Sequence, residues 1–244
     1  MARVYDEQAA SLAYSHDAMR PWQRAVKRTA DILCSSVGLV LLLPVFIVFA
    51  FMLKIQRNGP VFFSQKRIGY KGKPFSIYKF RTLSTVVEDK GPQLIAKGDS
   101  VQSTPFEKFL RDHHLDELPQ LWNVLIGNMS LVGPRPERKY YIDRIMENSH
   151  DYLLIYQMKP GLTSEATIYN GYTDTMEKML KRLDMDIRYL ENRTLRTDLS
   201  IIIQTIECLF HSTDGEADKC TKNPQRPPSL KESGVAGTTN NEQF

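Results

Sequence analysis

The sequence predicts an α+β fold: a mostly helical, membrane-associated domain with a small β element and an N-terminal re-entrant membrane helix. Three observations lead there. Residues 32–53 form an apolar run without charge, long enough to cross a bilayer core, which takes roughly 20 apolar residues. Residues 59–83 turn short and rich in β-formers, as in Val61-Phe62-Phe63 and Phe75-Ser76-Ile77-Tyr78-Lys79-Phe80, with Gly69, Gly72 and Pro74 as punctuation. Most of the remainder repeats its apolar residues at helical spacing.

The apolar run starts too late, is too long, and lacks the small-residue cleavage site of a signal peptide. Its charges lie on both flanks: Arg20, Arg24, Lys27 and Arg28 before it, and Lys54, Arg57, Lys66, Arg67, Lys71 and Lys73 after it. A spanning helix carries its Lys/Arg excess on the cytoplasmic side only. Two basic flanks with Pro44 mid-run suit a helix that enters, bends at Pro44 and leaves by the same face. An ordinary span kinked at its proline satisfies the same residues.

Helices are expected over 106–111, started at Thr104-Pro105, and over 118–125 and 137–148. Met176, Met179, Leu180, Leu183, Ile187 and Leu190 give one further amphipathic helix with Asp174 as its N-cap, and Leu195, Leu199, Ile202, Ile203, Ile206 and Leu209 give another. Such stripes are usually core, although one can lie along a lipid surface. Residues 84–103 read as a loop. The chain therefore divides into a flexible extension (1–20), a basic flank with the membrane helix (21–57), a main domain (58–210) and a polar, disordered tail (211–244).

The 244 residues suffice for a real core, and 42% hydrophobic with 25% charged residues excludes a disordered or collagen-like chain. A net charge of +4 is compatible with anionic partners. Cys34, Cys208 and Cys220 have no metal-ligand spacing, and their odd count argues against a disulfide framework.

Residues 111–136 are the densest in chemistry. They hold the adjacent carboxylates Asp116 and Glu117, Arg135 fixed between Pro134 and Pro136, and Arg111 upstream. Adjacent carboxylates at a helix start can reach one metal or one phosphate, and Mg²⁺ is commonly bound by one or two carboxylates plus substrate phosphates. A carboxylate can also attack phosphorus, and arginine pairs with phosphate through two parallel donors. Each feature alone has a plainer reading, since an Asp-Glu pair at a helix start usually complements the helix dipole. His113-His114 beside the pair could mark a transition-metal site, but neighbouring histidines do not easily share one ion.

The ordered segment Leu115-Asp116-Glu117-Leu118-Pro119-Gln120-Leu121-Trp122-Asn123-Val124-Leu125, continuing through Gly127-Asn128-Met129-Ser130-Leu131-Val132-Gly133-Pro134-Arg135-Pro136, resembles the signature of the bacterial sugar transferases, the monotopic polyprenyl-phosphate phosphoglycosyl transferases. The likeness spans about residues 22–210. It takes in Asp31, Pro44, Gly59-Pro60-Val61-Phe62-Phe63, Gln65-Lys66-Arg67-Ile68-Gly69, Ile77-Tyr78-Lys79-Phe80-Arg81-Thr82 and Lys159-Pro160-Gly161-Leu162-Thr163. It implies the small form of the family, with the main domain facing the cytoplasm at a bacterial inner membrane. The implied reaction is ping-pong. The aspartate at position 116 attacks a UDP-sugar, UMP leaves, and polyprenyl (undecaprenyl) phosphate takes the phosphosugar as the first membrane step of a surface glycan pathway.

The resemblance also implies Mg²⁺ near Asp116 and Glu117, with Glu117 a metal ligand or a proton acceptor. Arg135, Arg111, Lys79 and Arg81 become the phosphate- and substrate-binding candidates. The implied partners are the UDP-sugar, polyprenyl phosphate and membrane lipids; no nucleic-acid module is apparent, and homo-oligomerisation is left open. Two positions depart from the family pattern. Leu43 replaces the serine often found before the membrane proline, and Tyr172 replaces the usual arginine after Gly171, which leaves the sugar open. Competing classes are a membrane-bound glycosyltransferase that releases UDP and a non-enzymatic membrane adaptor.

Overall fold

A computed structural model describes residues 17–56, 59–82, 103–170 and 175–211. The extension through residue 16, Arg57, most of the 84–103 loop, Asp174, Tyr172, Cys220 and the tail beyond residue 211 lie outside the described residues. Of the extension expected through residue 20, residues 17–20 are described and are held in place. Asp17 is ion-paired with Arg193 at 2.6 Å and with Arg24 at 3.0 Å, and Met19 is buried.

The first helix, α1 (Pro21–Ile55), is the longest element and has a mean hydropathy of 2.8 in its most apolar stretch. It continues through Pro44 rather than ending there. Proline cannot donate to the carbonyl four residues earlier, so Val40 loses a rung of the ladder, which is the local weakness expected of a bend. Most of α1 is exposed, Val40 and Leu41 by 71% each. Its inward face, however, touches the main domain near both ends. Arg28 donates to the carbonyls of Val124 and Leu125 at 2.7 and 2.8 Å, and Asp31 accepts from the Leu131 amide at 3.0 Å. Farther along, Phe46 and Phe49 meet the ring of Phe80 edge-on, and buried Leu53 packs with Phe80 and Leu110.

Strands β1 (Phe62–Ile68) and β2 (Pro74–Phe80) pair antiparallel in the register Phe62 to Phe80 and Ile68 to Pro74. The connection runs through Lys71 and Gly72, both at positive φ. Helix α2 (Pro105–Asp112) begins as expected at Thr104, whose side chain accepts from the Glu107 amide while Glu107 bonds back to the Thr104 amide. A 3₁₀ turn (Leu115–Glu117) leads to α3 (Gln120–Ile126), followed by β3 (Ser130–Val132) and α4 (Lys139–Met146). Then come α5 (Tyr152–Ile155), β4 (Gly161–Thr163), α6 (Glu165–Asn170), α7 (Met176–Asn192) and α8 (Leu195–His211).

The N-cap of α7 is Thr175, which accepts from the Lys178 amide, where the sequence pattern suggested Asp174. Both residues are good caps, and the structure starts the helix one position later. The short parallel pair β3–β4 and the one-turn α5 were not expected, because three- and four-residue elements leave no periodicity to read. Cys34 is a free, exposed thiol, whereas Cys208 is disulfide-bonded. Three cysteines exclude a full framework of pairs but not one bridge.

Two apolar clusters hold the main domain beneath the site. One joins α4, α5 and α7 through Ile142, Ile145, Leu153 and Leu183; the other joins β3, α7 and α8 through Val132, Leu190 and Ile201. At β3–β4 the chains cross closely. The Gly161 amide donates to the Pro134 carbonyl at 2.9 Å, and a Cβ on Gly161 would stand 2.1 Å from the Gly133 nitrogen. No side chain fits there, so both glycines are required by the approach that fixes Pro134, Arg135 and Pro136.

Candidate active site

Three segments far apart in sequence meet at Glu117. After α2 the chain reverses at His114, which takes φ 54. Left-handed backbone is uncommon outside glycine and tends to occur where function fixes geometry. The reversal aims the Leu115–Glu117 turn inward, leaving Asp116 6% and Glu117 8% exposed. From β2 comes Lys79, placed by buried Asn123 of α3. Its side-chain amide donates to the Ser76 carbonyl at 2.7 Å and accepts from the Tyr78 amide at 3.1 Å, tying α3 to the strand edge. Arg135 arrives from the glycine crossing after β3.

Lys79 Nζ stands 2.6 Å from Glu117 Oε1. Arg135 Nη2 stands 2.7 Å from the same oxygen, and Nη1 lies 3.4 Å from Oε2. Both carboxylate oxygens of Glu117 are thus engaged by cations. Burial alone would raise its pKa, but Arg135 and Lys79 outweigh burial and hold the carboxyl well below the usual glutamate range. In turn, Glu117 raises the Arg135 guanidinium further, against the opposing effect of burial.

Asp116 differs from its neighbour. It makes no ion pair among the described residues, and its single side-chain partner is Thr82, whose hydroxyl lies 3.4 Å from Oδ2. Burial pushes its carboxyl up to about 6, with Glu117 adding to the rise and Lys79 and Arg135 opposing it. One turn therefore presents a carboxylate locked in the ionised form beside another whose charge is only loosely compensated. Divergent environments for adjacent acids are how proteins separate their roles.

The other expected residues divide. Arg111, in the last turn of α2, has a buried Nη1 without an acceptor among the described residues and is not among the residues that line the cleft beside Glu117. Arg81 does not join the group. It is 2% exposed and turned into the fold, donating to the carbonyls of Pro60 and Leu53 and pairing with Glu107 at 3.4 Å. Through these contacts it ties β2, α1 and α2 together, apart from the group around Glu117. Alternation alone would put Arg81 on the face of Lys79, but β2 ends at Phe80, so Arg81 is no longer held to the strand pattern and turns inward.

Beside Glu117 lies a small cleft, with an accessible volume of about 10 Å³, lined by Arg67, Ile77, Lys79, Gln120, Arg135, Pro136 and Gly161. Arg67, Gln120 and Thr82 were not singled out as site residues. Each lies inside a motif quoted for the resemblance, which was the available signal. No group of three or more His, Cys, Asp or Glu side chains converges among the described residues, so the His113-His114 pair has no metal-ligating company. His113 instead bonds the Phe109 carbonyl at 2.9 Å.

Comparison with known proteins matches residues 22–212 to the family described as bacterial sugar transferase. A Klebsiella pneumoniae protein named UDP-glucose:undecaprenyl-phosphate glucose-1-phosphate transferase is 41% identical over 74% of this chain and 39% of its own length. An Aeromonas hydrophila UDP-N-acetylgalactosamine-undecaprenyl-phosphate N-acetylgalactosaminephosphotransferase is 34% identical over 76% of this chain and 44% of its own. A Caulobacter vibrioides UDP-glucose:undecaprenyl-phosphate glucose-1-phosphate transferase is 37% identical, over 75% and 69%. The chain thus spans about two fifths of the first two relatives and about two thirds of the third.

Proposed function

Because the chain belongs to the bacterial sugar transferase family, we propose that it transfers a phosphosugar from a UDP-sugar to polyprenyl (undecaprenyl) phosphate, with Asp116 as the nucleophile. The observation that carries this reading is the asymmetry of the two carboxylates: Glu117 is held by Lys79 and Arg135, while Asp116 is buried without a cation of its own. A desolvated carboxylate that is ionised at neutral pH and is not tied up by a Lys or Arg side chain is a competent nucleophile toward phosphorus.

In this reading an Asp116 oxygen attacks the sugar-bearing phosphorus, and the bond from that phosphorus to the bridging oxygen breaks. UMP departs with the electron pair and leaves an aspartyl phosphosugar. An oxygen of polyprenyl phosphate then attacks the same phosphorus and displaces the Asp116 carboxylate, giving a lipid diphosphosugar. Lys79 and Arg135 offset charge on the transferring phosphoryl group. Glu117, kept ionised by those two cations, orients them and is a poor proton acceptor. Mg²⁺, when bound, would neutralise the diphosphate. Asp116 Oδ1 and the donor phosphates fit such an ion, whereas Glu117 could contribute only if Lys79 or Arg135 let go.

Membrane seating follows from α1. The contacts at Asp31 and Leu53 are separated by roughly 33 Å of helix at 1.5 Å per residue, about one bilayer core, yet both are made to the main domain. A helix crossing the bilayer between these points would place that domain on both sides, so we read α1 as bent at Pro44 with both ends at the cytoplasmic face. Exposed Leu199, Ile203 and Ile206 on α8, and Trp122 and Ile126 on α3, supply further apolar surface for a lipid boundary. Impermeant labelling of single cysteines at Arg20 and Gln204, in a variant free of native cysteines, should mark both sites from the same side of oriented vesicles. Labelling from opposite sides would refute the re-entrant seating.

The reaction itself is tested by the leaving nucleotide. Incubation with a panel of UDP-sugars and polyprenyl phosphate should release UMP. Release of UDP would assign a direct glycosyl transfer instead, and no turnover with any donor would favour a non-enzymatic adaptor.

A further inference from the structure

Arg67 stands near the end of β1, opposite Phe75 of β2, and lines the same cleft as Lys79, Glu117 and Arg135. Among the charged residues lining that cleft, three cations face one carboxylate. Two of the cations are already committed, since Lys79 and Arg135 both hold Glu117.

Arg67 is not committed in that way. Its Nη1 makes a long hydrogen bond of 3.3 Å to the Pro136 carbonyl and lies 3.6 Å from Glu137 Oε2, beyond good hydrogen-bond range. The other oxygen of Glu137 is taken by Arg182 at 3.0 Å. Arg67 Nε is buried and has no acceptor among the described residues. Burial lowers the proton affinity of this guanidinium; Glu137 and Glu117 oppose that, and Arg135 and Arg138 add to it. A buried donor left unsatisfied is costly, more so on a charged group, and an anion entering the cleft beside Arg67 would satisfy it.

Position decides which anion. Arg67 bonds the Pro136 carbonyl and stands by Glu137, whereas Asp116 is bonded by Thr82 and is not among the residues that line the cleft. Arg67 is therefore set apart from the nucleophile, on the side of the residues that follow Arg135. A planar fork of donors suits phosphate oxygens, and a nucleoside diphosphate brings a second phosphate to that end of the cleft. We propose that Arg67 is a donor-binding residue that holds the phosphate remote from Asp116, the one that departs with the nucleotide. This rests on the phosphosugar-transfer reading and extends it to how the leaving group is held.

The test is calorimetric binding of uridine, UMP and UDP to the full chain in nanodiscs. Arg67→Ala should weaken UMP and UDP binding by about 10- to 100-fold, the range for hydrogen bonds to a charged group, and leave uridine unchanged. Arg67→Lys should recover part of the loss, because it restores charge without the fork. If Arg67→Ala does not fold, Arg67→Lys carries the test through a raised donor KM at near-normal kcat. Unchanged UMP and UDP affinity would overturn the proposal, and so would an equal loss for uridine, which would make Arg67 a shaper of the cleft. If the unmodified chain releases UDP, the transfer reading fails first; if it releases UMP and Arg67→Ala behaves like it, this proposal alone fails.

Discussion

Asp116→Asn is expected to lower turnover by about three to six orders of magnitude and, at the same time, to make the protein more stable at neutral pH. The loss follows from removing the nucleophile while keeping its shape. The gain follows from linkage. The Asp116 carboxyl is raised from an ordinary 3.8 to about 6 by burial, with Glu117 adding to the rise. The folded state therefore binds more protons than the unfolded state between those values. The stabilising contribution of the protonated form is complete below about 3.8 and is lost as pH rises through about 6, so ionised Asp116 is a net cost at neutral pH. Asparagine removes that cost, by about 1–3 kcal/mol, which a thermal midpoint measured at pH 7.5 would register. At pH 3.5 the two proteins should melt together. The same ionisation predicts that the rate of the unmodified chain climbs about tenfold per pH unit below 6 and levels above it. A lower midpoint for Asp116→Asn at pH 7.5 would show that burial is not what governs this carboxyl.

Glu117→Ala should have the opposite balance, with stability and activity falling together. Lys79 and Arg135 would be left facing each other, with side chains 17% and 32% exposed. Removing one partner of a largely buried ion cluster costs about 3–5 kcal/mol, and the partial exposure of Arg135 places this case near the lower end. Glu117→Gln keeps the shape and isolates the charge. Because Glu117 raises Asp116 and Lys79 lowers it, the acid limb of the rate profile should move to lower pH in Glu117→Gln. Turnover should still drop about 100-fold, since the two cations lose the group that aims them. Turnover near the original level would mean that the cations are placed by the backbone alone.

Sequence made some of this legible and not the rest, for identifiable reasons. The hairpin could be read because Phe62, Phe63 and residues 75–80 are β-formers bounded by Gly69, Gly72 and Pro74. The start of α2 was readable from Thr104-Pro105 with Glu107, a capping box that the structure contains. Asp116, Glu117 and Arg135 stood out through their place in an ordered signature. Their division of labour did not, because it depends on Lys79, 38 residues before Glu117, reaching that residue. Arg81 misled for a related reason: it shares a motif with Lys79, but where the strand ends it turns inward to Glu107. Arg67 sat in plain sight among flanking cations, and only its burial without a full set of acceptors separates it from them. The β3–β4 crossing was hidden because an approach that would leave a Cβ only 2.1 Å from the facing backbone reads, in sequence, as two unrelated glycines.

The central claim is that Asp116 becomes covalently attached to the phosphosugar, and intact-protein mass spectrometry tests it most directly. The full chain, incubated with its UDP-sugar and no lipid acceptor, should gain the mass of one phosphosugar. Peptide mapping should place it on Asp116, polyprenyl phosphate should discharge it, and Asp116→Asn should never acquire it. An unmodified protein that still turns over, or an adduct on any other residue, would contradict the account.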